Sequence, residues 1–251
     1  MHKILANTIF LGKDIHFLPE CHSTNDVAFQ KYRAGDVREG SIIITDKQIQ
    51  GRGQRGNRWV TEPGVNLTFS LILTPLFLDA SEQFELNMAI ALGIREALSE
   101  YNSGIMVKWP NDIVHEEKGK LGGILIENTV SNKGIELSVV GIGLNINQVN
   151  FPFINATSMA QLAASPVDKD EIFKVVISRI EKYYLLLKKG NKKTVKEAYQ
   201  FHLFRFGEMC VYNDGMPFSG KIIGISEDGK LIIEKENSLV YHYSFKEVQF
   251  E

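Results

Sequence analysis

Residues 51–59 read GRGQRGNRW and hold three glycines and three arginines. Exposed backbone N–H groups and guanidinium groups both bind anions, so this stretch is a candidate anion-binding loop. Its first six residues match the G-x-G-x-x-G dinucleotide fingerprint, which requires a helix that begins inside the motif. Residues 57–64 carry no apolar stripe and end in Pro63-Gly64, and the Gly-Lys-Ser/Thr of a P-loop is absent. We therefore predict an anion-binding loop without a helix, with a mobile, solvated surface loop as the alternative.

Polar side chains and glycines also meet near the ends of three predicted strands. The stretch KWPND at residues 108–112 ends one strand, KLGGILIE at 120–127 opens another, and GIGLNIN at 141–147 ends a third. Glycine lets a ligand approach the backbone, and lysine, asparagine and aspartate supply charge and hydrogen bonds. A fourth stretch, STN at residues 23–25, offers short polar side chains at a predicted helix start, where a plain helix N-cap is the alternative.

The elements that would position these residues follow from the hydrophobic pattern of the chain. Runs of β-branched and aromatic residues predict strands, and apolar residues spaced three or four apart predict helices. The predicted strands are 15–19, 41–45, 66–73, 105–109, 113–114, 121–127 and 135–147, and the predicted helical regions are 24–34, 80–101 and 168–203. Because strands and helices do not alternate regularly, the pattern favours an α+β domain with a mixed, largely antiparallel sheet and flanking helices.

The tail of the chain from residue 206 has a different pattern. Its short strand-like segments are separated by turn sequences, NDG at 213–215, DG at 228–229 and ENS at 236–238. Turn residues at this regular spacing predict a small C-terminal β-barrel. We therefore predict two domains, residues 1–204 and residues 205–251. The smaller one should lean on the larger, because about 45 residues bury little surface alone.

Taken in order, STN, GRGQRGNRW, KWPND, KLGGILIE and GIGLNIN resemble the motifs of biotin protein ligases, and the resemblance covers nearly the whole chain. It implies a catalytic α+β domain akin to class II aminoacyl-tRNA synthetases, followed by a small barrel. The implied activity is ATP-dependent biotinylation of a carrier-protein lysine through a biotinyl-5′-adenylate, with biotin and ATP as substrates and Mg²⁺ as cofactor. The implied partner is the biotin carboxyl carrier protein, or carrier domain, of a biotin-dependent carboxylase.

The first step of that reaction brings together two anions, the biotin carboxylate and the α-phosphate of ATP. At ~4 Å and an effective dielectric constant of about 20 their repulsion is about 4 kcal/mol, so cationic groups must offset it. The resemblance assigns the catalytic roles to Lys120, which would bridge carboxylate and phosphate, and to Arg52. Lys108 and Lys118 lack that context, and we interpret Lys118 as a surface charge in a turn. Many family members have arginine in place of Gln54, so this chain has one cation fewer.

The resemblance also implies which residues bind biotin. Short hydroxyl and amide side chains at residues 23–25 can satisfy the donors and the acceptor of a ureido ring with little bulk. Gly122 and Gly123 are expected where a side chain would collide with biotin. The apolar slot for the thiophene ring and valeryl chain is expected from Trp109, Leu121 and Ile142. The implied biotin contacts are Ser23, Thr24, Asn25, Gln48, Gly51, Arg52, Gly53, Gln54, Lys120, Gly122 and Gly123.

A second group of residues is implied for ATP and the adenylate. This group consists of Arg55, Trp59, Asn111, Asp112 and Asn145. For Arg58, a phosphate contact and a solvated charge are equally good interpretations, and for Asn145 a turn at the end of the sheet is the alternative. Residues 148–158 would form the adenylate-binding loop, with Phe151 or Phe153 covering adenine. We predict that this loop is disordered without ligand.

Composition and charge argue against several other classes of protein. The formal net charge of −2 gives no global positive field for nucleic acid. The chain has no apolar run of ~20 residues and no cleavable N-terminal signal, so we expect a cytoplasmic protein without a membrane partner. Cys21 and Cys210 are expected to be reduced and non-catalytic. Because the resemblance begins by residue 15, we expect no N-terminal DNA-binding domain. Monomer and homodimer both stay open.

Three other interpretations compete with biotin transfer. A lipoate-protein ligase shares the fold and the adenylate chemistry, but the GRG-x-x-G-x-x-W loop favours biotin. A non-catalytic biotin-binding protein is the second alternative, and the presence of both Lys120 and Arg52 argues against it. A tRNA-binding synthetase homologue is the third, and the chain lacks the basic patch that this function needs.

Overall fold

A seven-stranded sheet forms the larger part of the fold. The structure, a computed structural model, describes residues 7–152 and 155–251. The strands of this sheet are β1 (Ile15–Cys21), β2 (Ile42–Gln48), β3 (Leu67–Leu73), β4 (Ile105–Lys108), β5 (Asp112–His115), β6 (Gly119–Ser131) and β7 (Gly134–Leu144). Their order is β1-β2-β3-β7-β6-β5-β4, with β1 and β2 parallel and all other neighbours antiparallel. The predicted mixed, largely antiparallel sheet is confirmed.

Helices flank this sheet, as the pattern predicts. In the described residues they are α1 (Thr24–Ala34), α2 (Gln83–Ser99), α3 (Met159–Ala163), α4 (Lys169–Lys188) and α5 (Lys192–Phe201). The predicted helix 80–101 starts as a 3₁₀ turn, Ala80–Glu82, before α2. The predicted region 168–203 is divided at Gly190, whose φ of 83° suits a glycine. In the part of the chain that the structure describes, no helix is both long and apolar enough to cross a membrane.

The C-terminal residues form a second, smaller sheet. Its strands are β8 (Met209–Asn213), β9 (Pro217–Ile225), β10 (Leu231–Lys235), β11 (Val240–Tyr243) and β12 (Gln249–Phe250). All neighbouring strands are antiparallel, in the order β11-β10-β9-β8-β12. Gly215 and Gly229, in two of the three predicted turns, have φ values of 117° and 82°, which glycine adopts without strain. The small all-β unit is confirmed, and the domain boundary at residue 205 stays a prediction.

The small sheet packs directly on the larger part of the protein. The Trp109 indole N–H donates a hydrogen bond of 2.9 Å to the Gly229 carbonyl. The Trp109 ring also meets Phe245 edge-to-face, with 6.4 Å between ring centroids. A Cβ atom on Gly229 would lie 2.6 Å from the Phe84 ring of α2, so the turn sits flat against that helix. Strand β4 and helix α2 are therefore the support of the C-terminal sheet.

Helices α2 and α4 approach so closely at Gly93 that a larger residue does not fit. A Cβ atom there would lie 2.6 Å from Cα and 2.7 Å from N of Ile180 in α4. We predict that Gly93→Ala lowers the free energy of unfolding by about 1–3 kcal/mol, because the two backbones must move apart. Urea denaturation measures this. The control is Lys193→Ala at an exposed position of α5, expected within ~0.5 kcal/mol of wild type. A Gly93→Ala protein as stable as wild type would contradict the prediction.

Candidate functional site

A cleft of about 660 Å³ opens near one end of the large sheet. Its floor is a row of residues that face one another across neighbouring strands. Lys108 pairs with Asp112, Asp112 with Gly123, Gly123 with Gly143, and Gly143 with Thr68. All five line the cleft. Residues paired across a sheet share one face, so the register brings together parts of the chain that are far apart in sequence.

Two glycines of β7 make room for side chains from other elements. A Cβ atom on Gly143 would collide with the indole of Trp59. A Cβ atom on Gly141 would lie 2.6 Å from Oδ1 of Asn25. The buried indole N–H of Trp59 has no hydrogen-bond partner among the described residues and lies at the cleft. The GIGLNIN glycines thus allow Trp59 and Asn25 to reach the floor.

The glycine loop is a short turn that folds back on itself. The Trp59 N–H donates to the Gly51 carbonyl at 3.0 Å, and the Gly53 N–H donates to the Asn57 carbonyl at 2.7 Å. Between them, Gln54–Gly56 form one 3₁₀ turn. The segment from this turn to β3 contains no helix, which confirms the prediction. The loop therefore lacks the helix dipole of a dinucleotide fingerprint.

Most residues of this loop face the cleft. The lining residues from the loop are Arg52, Gly53, Gln54, Asn57, Arg58 and Trp59. Gly51 lies behind them, because a Cβ atom there would collide with the Trp59 carbonyl. The backbone of Arg55 belongs to the 3₁₀ turn, and its side chain lies outside what the structure describes. Arg58, a predicted phosphate contact, and Trp59, predicted for ATP and the adenylate, thus line the cleft.

Arg52 is held at the mouth of the cleft by two carboxylates. Its Nη2 lies 2.8 Å from Asp26 Oδ1 in α1 and 3.0 Å from Glu127 Oε2 in β6. Burial lowers the pKa of Arg52, but the charges of Glu127 and Asp26 outweigh this, so the pKa is raised overall. The guanidinium is therefore a permanent cation whose direction is set by two different elements.

Lys120 faces Arg52's loop from the sheet. Its Nζ lies 2.6 Å from Asp112 Oδ1 and 5.9 Å from the centroid of the Trp59 ring. The Lys120 backbone pairs with the segment 155–157, since its N–H donates to the Asn155 carbonyl at 2.8 Å and its carbonyl accepts from the Thr157 N–H at 2.9 Å, and with Val114 of β5 on its other side. The ammonium thus projects into the cleft from a rigid strand.

The STN stretch forms a buried polar group at the cleft. Ser23, Thr24 and Asn25 are buried, and Ser23 is the residue before α1. Gln48 Oε1 accepts from the Thr24 N–H at 2.8 Å. The Ser70 hydroxyl lies 2.7 Å from Thr24 Oγ1 and 2.6 Å from Asn25 Oδ1. Ser70 was not predicted, and only the pairing of its strand with β7 would have indicated it.

Lys108 is a cleft residue that the sequence interpretation left out. Its pairing with Asp112 puts it on the floor. Its Nζ lies 4.7 Å from the centroid of the Phe250 ring and 5.9 Å from that of Phe204. Burial lowers the pKa of Lys108, and the charge of Asp112 offsets part of this effect. The signal that would have found Lys108 is the β4–β5 register.

Positive charge is concentrated in this cleft. Its charged lining residues, in the part of the chain that the structure describes, are Arg52, Arg58, Lys108, Lys120, Lys246 and Asp112. Five cations and one carboxylate therefore line the cleft, and Asp26 and Glu127 pair with Arg52 at its mouth, in a protein whose formal net charge is −2. This local excess suits an anionic ligand, although the protein as a whole does not attract anions.

Two predicted residues of the KLGGILIE stretch lie away from the cleft. A Cβ atom on Gly122 would lie 2.6 Å from the Gly143 carbonyl oxygen and 2.6 Å from Leu144 Cδ2. Gly122 thus makes room for the neighbouring strand, where the sequence interpretation expected room for biotin. Leu121 is fully buried in the core. Neighbouring strand residues face opposite sides, so Gly123 lines the cleft and Gly122 does not.

Asn145 also lies behind the floor. Its Nδ2 donates to the carbonyls of Lys120 at 3.3 Å and Thr157 at 3.1 Å, so it ties β6 to the segment after β7. It is not among the residues that line the cleft, and its predicted contact with the adenylate stays a prediction. Phe151 is described but does not line the cleft, and Phe153 lies outside the described residues. Disorder of the 148–158 loop stays a prediction.

The other predicted residues do line the cleft. They are Trp109, Asn111, Asp112 and Ile142. The Asn111 amide donates to the Ile124 carbonyl at 2.5 Å, which fixes the turn between β4 and β5. The C-terminal segment adds residues that the motifs did not indicate, namely Phe245, Lys246, Val248, Gln249 and Phe250. Their contribution depends on how the small sheet packs, which no local pattern reveals.

The fold and the site define an α+β protein whose sheet carries a cationic cleft, beside a buried hydroxyl and amide cluster, that suits a small anionic ligand. A profile of the biotin/lipoate A/B protein ligase family matches residues 18–147. The bifunctional ligase/repressor BirA of Bacillus subtilis is 31% identical over 94% of this chain and 74% of its own length. The chain belongs to the biotin/lipoate A/B protein ligase family.

Further relatives share the same architecture. The biotin–[acetyl-CoA-carboxylase] ligase of Paracoccus denitrificans is 27% identical over 86% of this chain and 92% of its own length. The biotin protein ligase of Aquifex aeolicus, solved with biotin and ATP, superposes with a TM-score of 0.77 at 27% identity. That match covers 95% of this chain and 100% of the other. The α+β fold expected from the motifs is therefore confirmed.

The contact between Gly143 and Trp59 gives a test of the floor. We predict that Gly143→Ala displaces the Trp59 indole, because the added methyl group would occupy its place. The expected result is a red-shifted tryptophan emission spectrum. Gly123→Ala is the matched control, since a Cβ atom there first meets Lys120 Nζ at 3.4 Å, which the flexible lysine end can accommodate. Identical spectra of Gly143→Ala and wild type would disprove the packing described.

Proposed function

We propose that the protein is an ATP-dependent biotin ligase that forms biotinyl-5′-adenylate and transfers biotin to a lysine of a carrier protein. The observation that carries the proposal is that Arg52 of the glycine loop and Lys120 of the sheet face one cleft. The relatives named above as biotin ligases, and the Aquifex structure with biotin and ATP, support it.

The first chemical step needs the cations. A carboxylate oxygen of biotin attacks the α-phosphorus of ATP, and pyrophosphate leaves. Lys120 and Arg52 would contact the carboxylate and the α-phosphate, offsetting their mutual repulsion and the charge that builds up in the transition state. Lys108 and Arg58, on the same cleft, would face the departing phosphates.

The buried polar group suits the other end of biotin. A ureido ring has two N–H donors and one carbonyl acceptor. Hydroxyl and amide groups can both accept from the N–H donors and donate to the carbonyl, and the buried polar group supplies them from Ser23, Thr24, Asn25 and Gln48. The slot between this cluster and Lys120 would hold the valeryl chain, with Trp109 and Ile142 as apolar lining.

The residues present fit a Mg²⁺ ion only together with phosphate oxygens. Magnesium commonly uses one or two carboxylates and completes its shell with phosphates and water. Asp112, next to the Asn111 amide, is the carboxylate that would hold it. In the described residues no group of three or more His, Cys, Asp or Glu side chains could bind a metal alone. When bound, the ion would neutralise part of the phosphate charge.

In the second step the amine of the acceptor lysine attacks the acyl carbon, and AMP leaves. The acceptor would be a biotin carboxyl carrier protein, or the corresponding domain of a carboxylase, and a cytoplasmic location is proposed with it. The runner-up is transfer of lipoate, since the matching family covers both chemistries. The short polar side chains at residues 23–25 favour biotin, because the dithiolane ring of lipoate offers no N–H or carbonyl group to match them.

A transfer assay tests the proposed function. We expect the wild-type protein to incorporate labelled biotin into a carrier domain with ATP and Mg²⁺, and Lys120→Ala to do so about 100-fold or more slowly, because it removes a transition-state contact. Lys118→Ala is the matched control, since Lys118 is two residues away and exposed. No transfer by wild type, preferential transfer of lipoate, or full activity of Lys120→Ala would refute the proposal.

The position of Lys108 gives a separate prediction. We expect Lys108→Met to raise the KM for ATP about tenfold, with the KM for biotin nearly unchanged, because a charge that faces only the phosphates is removed. Biotin-dependent exchange of labelled pyrophosphate into ATP measures both constants. An equal rise in both would show that Lys108 supports the whole cleft, and no rise in either would show that it does not contact ATP.

A further inference from the structure

Glu127 joins two site residues that no motif connects. Its Oε2 accepts a hydrogen bond of 2.7 Å from Asn25 Nδ2. The same carboxylate receives Arg52 Nη2, at 3.0 Å from Oε2 and 3.3 Å from Oε1. One side chain on β6 therefore contacts the amide of the STN stretch and the guanidinium of the glycine loop at once.

This contact is the shorter of two that orient the Asn25 amide. An ionised carboxylate only accepts hydrogen bonds, so the amide nitrogen must face Glu127. The amide oxygen then faces the Ser70 hydroxyl, at 2.6 Å, and Asn25 is almost fully buried. If the amide were reversed, its oxygen would meet the Glu127 carboxylate in a buried position, which is costly. The Leu125 carbonyl also accepts from Asn25 Nδ2, at 3.3 Å, so Glu127 and this carbonyl together fix where Asn25 presents a donor and where it presents an acceptor.

Asp26 provides the comparison within the same structure. It also pairs with Arg52, at 2.8 Å, from helix α1. The side chain of Asp26 is 50% exposed, whereas that of Glu127 is 35% exposed. None of the described hydrogen bonds joins the Asp26 carboxylate to Asn25. Exposed ion pairs contribute little by themselves, so the shared contact with a buried amide is what distinguishes Glu127.

We infer that Glu127 is a positioning residue that orients the Asn25 amide and the Arg52 guanidinium together, and so couples recognition of the biotin head group to placement of the loop cation. The inference rests on the proposed function and adds to it a positioning role for Glu127. It follows that losing the Glu127 charge weakens biotin binding more than losing the Asp26 charge does.

Glu127→Gln and Asp26→Asn are the matched pair of variants for this test. A glutamine keeps one acceptor oxygen, but it lacks the negative charge and the second acceptor oxygen, so it holds the Asn25 amide and the Arg52 guanidinium more weakly. We expect Glu127→Gln to weaken biotin binding, measured by calorimetry without ATP, about tenfold to a hundredfold, and to raise the KM for biotin in pyrophosphate exchange by the same factor. Asp26→Asn should change both values less than about threefold, as exposed pairs do. The KM for ATP should change little in either variant, and unchanged melting temperatures check the fold.

A second pair of variants exchanges the donor and acceptor roles. Asn25→Asp places a carboxylate against Glu127 and should weaken biotin binding to the limit of detection. Adding Glu127→Gln should raise the affinity for biotin at least about tenfold above that limit, because an amide then faces a carboxylate again. This readout holds even if Glu127→Gln alone is less stable.

The outcomes separate the two claims. If the wild-type protein does not bind biotin, the proposed function is wrong. The positioning role alone is wrong if the wild-type protein binds biotin but Glu127→Gln and Asp26→Asn have equal effects. It is also wrong if the double variant Asn25→Asp/Glu127→Gln recovers no biotin binding.

Discussion

The register of four antiparallel strands is the constraint on which the site depends. Gly123 pairs with Gly143, and this pairing aligns Asp112 on one side and Thr68 on the other. A slip of one residue would turn every one of these side chains to the opposite face. The paired glycines have no side chains and leave space in the middle of the row, where the Trp59 indole of the glycine loop packs against Gly143. The cleft is therefore a product of strand pairing, to which the loop adds a cation and an aromatic wall.

The cations of this cleft are oriented without being tightly held. Arg52 and Lys120 both pair with carboxylates, yet their side chains are 43% and 38% exposed. Exposed pairs of this kind are worth about 0–1 kcal/mol, so an anionic ligand can share these cations with the carboxylates at little cost. A fully buried pair would resist exchange, because separating it leaves an uncompensated charge. Because Arg52 and Lys120 are partly exposed, each cation has a defined direction and can still bind a ligand.

Pattern and motif predict the parts of this structure that are local. The β-branched run of β2 and the apolar stripe of α2 follow from spacing alone, and the lack of a helix after the glycine loop follows from Pro63-Gly64. The order of motifs brings Arg52 and Lys120 to one cleft. What cannot be predicted depends on register and on distant contacts. Two adjacent glycines look alike in sequence, but strand alternation turns only Gly123 towards the cleft.

The same reasoning explains why the C-terminal residues escaped prediction and why they belong to the site. Trp109 directly follows the strand that carries Lys108, and its indole N–H donates a hydrogen bond to the Gly229 carbonyl in a turn of the small sheet. Phe250 of that sheet covers the Lys108 ammonium, at 4.7 Å. Both residues line the cleft, and the indole N–H of Trp109 also anchors the small sheet. A change in the packing of the small sheet must therefore alter the environment of the Lys108 ammonium. Residues on both sides of the predicted domain boundary at residue 205 thus belong to one site.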